Sequence, residues 1–296
     1  MSGWYWRRCF LAAALGMGCL ALPASAEGEW LFDVDAGVLY DNNLTRAQAP
    51  ADIRGDGAAS VSAAIGSFSA LSGNDGITLA ADLRAEAYWR FHGLNVVGLG
   101  GTATYRHKFG VGLDAPWIVG AVTASYDDYQ GNVRTGGRYA LRAELGRRFS
   151  ESFDASFGGV YDRRYAKYDQ PVVPGISGKP FELSGASAYA RASYALNEEL
   201  LLGAKLEVRR GDVESTARPN LEIFEASSAI APDPTFGPDF FAYRLRGTTD
   251  TATLNGSWAL DDRSSINLSY SAERTRAYAG LDYRSWVATI SLAYRY

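Results

Sequence analysis

After Glu27, apolar side chains return at nearly every second position, and no other feature constrains the fold as tightly. Trp30, Phe32, Val34, Ala36, Val38 and Tyr40 share one parity, while Asp33, Asp35 and Asp41 take the other. Ile77, Leu79, Ala81, Leu83, Ala85, Ala87, Trp89 and Phe91 alternate with Thr78, Asp82, Arg84, Glu86, Tyr88, Arg90 and His92. A helix would scatter these charges over every side, including its buried one, whereas a strand gathers them on a single face. The same rhythm returns over 97–105, 139–145, 153–161, 186–194, 200–208, 252–260, 266–272 and 286–296, and more weakly over 61–65 and 117–126. The chain therefore reads as all-β with about twelve strands, ten and fourteen being the neighbouring even counts.

Connections of two lengths join these segments. Short ones fall at 71–76, 109–116, 150–152, 197–199 and 261–264. Longer ones fall at 42–56, 129–137, 169–182 and 211–239. In three short turns an apolar residue (Phe149, Leu196 or Leu260) precedes a polar, acidic tip, as tight hairpins require. Alternating short and long loops fit a transmembrane antiparallel up-and-down β-barrel. In lipid every backbone amide must be paired, and strands achieve this only by closing on themselves. A soluble sandwich could alternate in the same way. The barrel is favoured by runs near the ~9–11 residues that cross a bilayer and by aromatic residues at strand ends. Trp30, Phe149, Phe153, Tyr194 and Trp258 lie near the short turns, and Tyr40, Trp89, Phe91 and Tyr139 near the longer ones.

The N-terminus has the three parts of an export signal. Arg7 and Arg8 precede an apolar run over 9–22, Pro23 breaks it, and Ala24-Ser25-Ala26 offers small residues for cleavage. The run is shorter than the ~20 residues of a membrane anchor. Residues 1–26 are thus expected to be a cleaved secretory signal and 27–296 the barrel. Both cysteines, Cys9 and Cys19, fall within the signal, so the exported part would contain no disulfide or thiolate site. Lys and Arg number 29 against 33 Asp and Glu, a net charge of −4 that leaves no basic field for nucleic acid.

The last strand finishes Leu292-Ala293-Tyr294-Arg295-Tyr296. In this it resembles Gram-negative outer-membrane barrels, whose final strand typically ends in an aromatic residue read by the barrel-assembly machinery. The resemblance implies residence in the cell outer membrane, contact with outer-membrane lipid and lipopolysaccharide, and an assembly signal at Tyr294 and Tyr296. Tyr40-Asp-Asn-Asn-Leu-Thr-Arg-Ala47 is similar to runs closing the first strand in β-barrel porin families of proteobacteria. On its own chemistry the run is a polar strand exit, where Asp and Asn cap the strand and tolerate positive φ.

Twelve strands ~4.8 Å apart and tilted ~40° give a backbone radius of roughly 12 Å. Charged pairs fall near mid-height on the polar parity: Arg84 with Glu86, Arg142 with Glu144, and Lys205 with Glu207 and Arg209. They are the candidate lumen constriction. Either they select small hydrophilic solutes, or they zip into an ion-pair network that closes the barrel. The segment 211–239 holds four prolines among Leu221, Ile223, Phe224 and Phe236. It could fold over or into the mouth, present a binding surface, or remain disordered.

No catalytic constellation is legible. His92 and His107 are the only histidines, and neither has a neighbouring serine. Asp127 and Asp128 are adjacent, so on a strand they point to opposite faces. No phosphate-cradling loop, cofactor motif or metal-ligand spacing appears. The sequence is read as a non-enzymatic, narrow porin-like channel for small hydrophilic solutes. The alternative is a non-conducting structural or adhesive barrel, or an outer-membrane component of an export system.

Overall fold

The computed structural model describes residues 29–296, so the expected export signal over 1–26 lies outside the described residues. The wall is built from β1 (Glu29–Asp41), β2 (Asp56–Ala70), β3 (Asp75–Tyr88), β4 (Val96–Lys108), β5 (Trp117–Tyr129) and β6 (Gly136–Arg148). It continues through β7 (Phe153–Ala166), β8 (Ser184–Ala195), β9 (Leu200–Ala217), β11 (Phe241–Ala259), β12 (Ser264–Ala277) and β13 (Asp282–Arg295). Neighbours pair antiparallel in that order, and β13 returns to β1 from Asp33↔Arg295 to Asp41↔Val287. Twelve strands close the ring. The short β10 (Ala229–Pro232) lies beside the outer end of β11 at Phe241–Arg244, above the point where β12 takes over at Gly247. At the seam, the Arg295 guanidinium pairs with Asp33, and the Tyr296 N–H donates to the Phe32 carbonyl at 2.9 Å.

Each of the twelve segments read from the sequence lies in one wall strand. Two boundaries differ. β3 stops at Tyr88, because Trp89 to Asn95 turn back through a short 3-10 helix. β9 and β11 reach 18 and 19 residues, well beyond the ~9–11 a membrane needs. Their outer halves stay paired to Ala217↔Phe241 and form a ribbon that rises above the rim.

The alternation resolves into an apolar outside and a polar inside. Val38, Ile65, Leu83, Leu99, Val122, Leu141, Leu206, Leu254, Leu268 and Ile290 all point outward and are exposed. Side chains of the other parity face the lumen, where Ser, Thr, Asn and charged residues replace the apolar filling of a soluble barrel. Aromatic contacts mark the outer interface: Tyr40 on Trp286 at 5.4 Å, Tyr270 stacked on Trp286 at 5.9 Å, and Tyr139 edge-on to Tyr165 at 5.6 Å. Phe91 is a correction to the expected girdle. It turns inward and packs against Phe236 at 5.0 Å.

Four inner turns share one construction. The N–H groups of Leu71, Phe149, Leu196 and Leu260 donate to the carbonyls of Asp75, Phe153, Leu200 and Ser264, each at 2.9 Å. The following residue caps the turn with its side chain. Asn197 Oδ1 accepts from the backbone of Glu199 and Leu200, and Asp261 Oδ1 from Arg263 and Ser264. Ser72 and Ser150 do the same with their hydroxyls. The first polar residue of each turn thus fixes the register of its hairpin. Asn197→Ala should cost about 1 kcal/mol in a urea titration of the micelle-bound barrel, with an unchanged slope.

Candidate functional site

The outer mouth is crossed by residues 218–240. This segment begins where Pro219 ends the β9 run. Asn220 then caps a single helical turn, α1 (Leu221–Ala226), by accepting from the Ile223 N–H at 3.1 Å. β10 follows, and Pro232, Pro234 and Gly237 (φ 141°) steer the chain away from the wall. β9 and β11 are ninth and tenth in the ring, so the β3–β4 connection stands on the opposite side. Nevertheless Phe236 packs in one buried cluster with Leu94 and Phe240, flanked by Leu44, Tyr88 and Phe91. A Cβ placed on Gly93 would come within 2.5 Å of Thr235 Oγ1, and one on Gly131 within 2.9 Å. The segment therefore spans the full diameter of the mouth.

The crossing is held by a buried ion pair. Arg134, in the β5–β6 connection, grips Asp233 with two bonds, Nη1 to Oδ1 at 3.0 Å and Nη2 to Oδ2 at 2.7 Å. The Thr216 hydroxyl donates to the same carboxylate at 3.1 Å. The Arg134 guanidinium lies over Phe181 at 4.3 Å and Phe236 at 5.4 Å. Both charges are buried, Asp233 completely. Burial alone would raise the Asp233 carboxyl, but the Arg134 charge and its hydrogen bonds outweigh this and hold it below the ordinary carboxylate range. The pair lies against a small buried cluster of Val133, Phe181, Ala231 and Ala242, while on the other face of the ribbon Val213, Ile230, Tyr243, Leu245, Leu281 and Tyr283 form an apolar core, against which Ile223 and Phe224 of α1 rest.

The β1–β2 connection braces the crossing from the other side. The Thr216 N–H donates to the Thr45 carbonyl at 2.7 Å, the Ser215 hydroxyl to the Arg46 carbonyl at 2.9 Å, and Arg218 pairs with Asp52 at 2.6 Å. This is the role of the run Tyr40 to Ala47. Asn43 is wholly buried and donates from Nδ2 to the carbonyls of Ala47 and Arg284. Its own N–H donates to Asp41 Oδ1. The positive φ falls on Arg46 (53°), which Asp41 and the Asn43 carbonyl hold through its guanidinium, and not on an Asn or Asp.

Below the lid, all seven side chains read as a constriction lie on lumen-facing parity. Arg84 pairs with Asp127 at 3.0 Å and Glu86 at 3.4 Å. Glu144 accepts from Arg191 and from the Tyr189 hydroxyl, both at 2.5 Å. Lys205 pairs with Glu207, and Arg209 grips Asp162 with two bonds of 3.0 and 2.8 Å. Of the four cations among the seven, only Arg142 has no carboxylate partner among the described residues, and its Nε is buried without a hydrogen bond. Arg84, Glu144 and Arg209 are thus joined to partners on other strands and not to one another. Sequence reading missed Asp127, Asp162, Tyr189 and Arg191. Parity places each on the lumen face, but only the register between strands brings them alongside their partners.

The facing wall is of another kind. Thr249, Thr251, Thr253, Ser269, Ser271 and Thr289 line it with hydroxyls, several joined in pairs such as Thr253 with Ser271 at 2.8 Å. Its carboxylates, Asp35 and Glu273, accept from Ser291 at 2.8 Å and Ser285 at 3.0 Å. Mid-height residues on this wall remain half-exposed, and lumen-facing Ser62 is exposed. Space therefore remains beneath the lid.

The residues weighed for catalysis do not assemble. Asp127 is buried in its ion pair, while Asp128 faces the other side of β5 and accepts from Thr135. The His92 ring bonds the Tyr88 carbonyl, and the His107 ring bonds Asp75 on the outer face.

A search of solved structures returns outer-membrane barrels. The COG4313 outer membrane channel from Pseudomonas putida F1 superposes with a TM-score of 0.57 at 12% identity, over 93% of this chain and 97% of that one. The chain has the fold of an outer-membrane channel. A KdgM porin in complex with disordered oligogalacturonate is also similar (TM-score 0.48, 9% identity, 88% and 98% covered). So is the translocator domain of the autotransporter NalP from Neisseria meningitidis (0.45, 11%, 98% and 94%). No family model and no curated protein matches the sequence.

The lid of this barrel should respond to acid in one direction. A carboxyl held below its free value near 3.9 contributes docking above that value and loses it as pH falls through the lowered one. Hydrogen exchange over 218–240, corrected for its intrinsic pH dependence, should stay slow from pH 7 to about 4 and accelerate below. Asp233→Asn leaves Arg134 buried without its counter-charge, a loss of about 3 kcal/mol. Exchange in that variant should already be roughly a hundred-fold faster at pH 7, with no step at low pH.

Proposed function

We propose that this protein is an outer-membrane channel for small hydrophilic solutes, with its outer mouth covered by residues 218–240. The observation that carries the proposal is the interior itself: a polar lumen with half-exposed hydroxyls at mid-height, where a purely structural barrel of this size could fill with apolar side chains. Residence in the outer membrane is supported by the fold and by the outward apolar band. Export through a cleaved signal at 1–26 and recognition of Tyr294 and Tyr296 by the barrel-assembly machinery complete the reading. No enzymatic role and no cofactor are assigned.

Charge sets the expected selectivity. Arg106, Arg138 and Arg142 on β4 and β6 have no carboxylate within salt-bridge distance among the described residues. The opposite side of the ring carries Asp35, and Glu273 within 3.9 Å of Arg46. A field across the lumen orients polar solutes, while the ion pairs of Arg84, Glu144, Lys205 and Arg209 narrow the passage. Arg142→Ala should therefore shift the reversal potential toward cations in a salt gradient. An unchanged potential would remove Arg142 from the passage.

A second reading, the non-conducting barrel, is favoured by the crossing of the mouth. The two separate in planar bilayers. β9 and β11 remain paired to Ala217↔Phe241, so a short Gly-Ser turn can replace 219–239 without opening the wall. The channel reading predicts small or infrequent current from the intact protein and discrete, larger steps from the lidless one. A folded, heat-modifiable lidless barrel that carries no current would sink it.

A further inference from the structure

The outside of the barrel carries a second feature that the passage does not use. Across β7, β8, β9, β11 and β12, the lipid-facing wall sinks into a shallow groove of about 750 Å³. Its low parts are Ala188 and Ala190 on β8 and Ala252 and Ala272 on β11 and β12, with Phe157 and Leu206 projecting beside them. β8 offers only Ala186, Ala188, Ala190 and Ala192 to the lipid before Tyr194, so the bulky residues on either side stand as rims. The groove ends at Asp250, Arg274 and Arg284, one register row above Trp286, which belongs to the outer aromatic girdle. One row higher still come Arg210 and Arg276, on the same parity.

These charges point toward lipid at the height of the headgroups. Arg276 pairs with Asp250 at 2.5 Å and Arg274 with Asp282 at 2.6 Å. Arg210 and Arg284 are exposed and have no carboxylate within salt-bridge distance among the described residues. The cluster therefore has an excess of two cations, directly above an apolar floor. Arginine on a lipid-facing strand is costly in the bilayer and nearly neutral at its surface. A stable place for two unpaired guanidinium groups there is against anionic headgroups, with which Arg makes bidentate phosphate contacts.

We propose that this face binds a phosphorylated, multiply acylated glycolipid of the outer leaflet, of the lipid A type. Arg210 and Arg284 hold its phosphates, and its acyl chains lie in the groove. The width decides between lipids. Five strands span four interstrand gaps, roughly 19 Å, and an acyl chain is about as wide as one gap. Leu206 divides this span into two alanine troughs, one over β8 and one over β11 and β12, so the face accepts more chains than the two of a diacyl phospholipid. The proposal rests on residence in the outer membrane but is independent of conductance.

The probe is purified bis-phosphorylated lipid A, titrated into the full-length purified barrel in neutral detergent and read by native mass spectrometry. One lipid A should be retained per barrel, and its monophosphorylated form should bind more weakly. Phosphatidylglycerol, with one phosphate and two chains, should bind more weakly than either form of lipid A. Arg210→Ala with Arg284→Ala should weaken retention about thirty-fold. Ala252→Trp, which fills the floor from a lipid-facing position, should weaken it without touching a charge. Both variants should keep the heat-modifiable mobility of the folded barrel, and a variant that does not is replaced by the other. Equal retention by a folded variant, or equal competition by phosphatidylglycerol, would overturn the proposal.

Discussion

Backbone hydrogen bonding in a medium without water governs the whole molecule. Once β1 to β13 must satisfy every amide between strands, the sheet has to close, and closure leaves only two faces to specify. Period-two alternation then does the rest. One parity becomes the lipid veneer of Val38, Leu83, Leu206 and Ile290, and the other becomes a polar interior that no soluble core would tolerate. The Asp33–Arg295 pair at the seam sits where first and last strands meet, so the ring is closed by side chains as well as backbone.

The second level of organisation lies above the membrane. β9 and β11 continue past the bilayer as a ribbon, and the chain between them returns across the mouth to the far rim. Here the packing changes character. Phe181, Ile230, Tyr243 and Leu245 are fully buried, as in a water-soluble core, because the outer side faces water and the hydrophobic effect operates again. The Arg134–Asp233 pair sits on the Phe181 side of the ribbon, beside Ala231 and Ala242. Such a pair adds little net stability over an apolar equivalent but penalises any arrangement in which either partner is alone. It suits a segment that must occupy one docked position or leave it.

Most of the wall was legible from the sequence, because parity is a local property: Arg84, Glu144 and Lys205 could be assigned to the lumen from their neighbours alone. Partnership was not, because it depends on register. In the sequence Asp127 is only one of two adjacent acids that point to opposite faces of a strand. Only the alignment Gly98↔Asp127 beside Arg84↔Gly98 shows it buried against Arg84. The lid was open to three readings for a related reason. Its prolines and aromatics announce a structured segment, but Phe236 and Leu94 meet only because their connections stand six strands apart in a closed ring. The Tyr40 to Ala47 run was correctly read as a strand exit. Its reach to Ser215 and Thr216 could not be seen without the mouth it helps to cover.

The central claim is that 218–240 lies across the mouth and governs passage beneath it. Gly93 and Thr235 test it most directly, since a Cβ on Gly93 falls 3.1 Å from that of Thr235, close to disulfide geometry. The described strands contain no cysteine of their own. In a Gly93→Cys, Thr235→Cys barrel, a disulfide should form under mild oxidation and hold current in a planar bilayer at its lowest level. Reduction should then release larger, discrete openings. Failure of the pair to cross-link in the folded barrel, or a current indifferent to its redox state, would contradict the account.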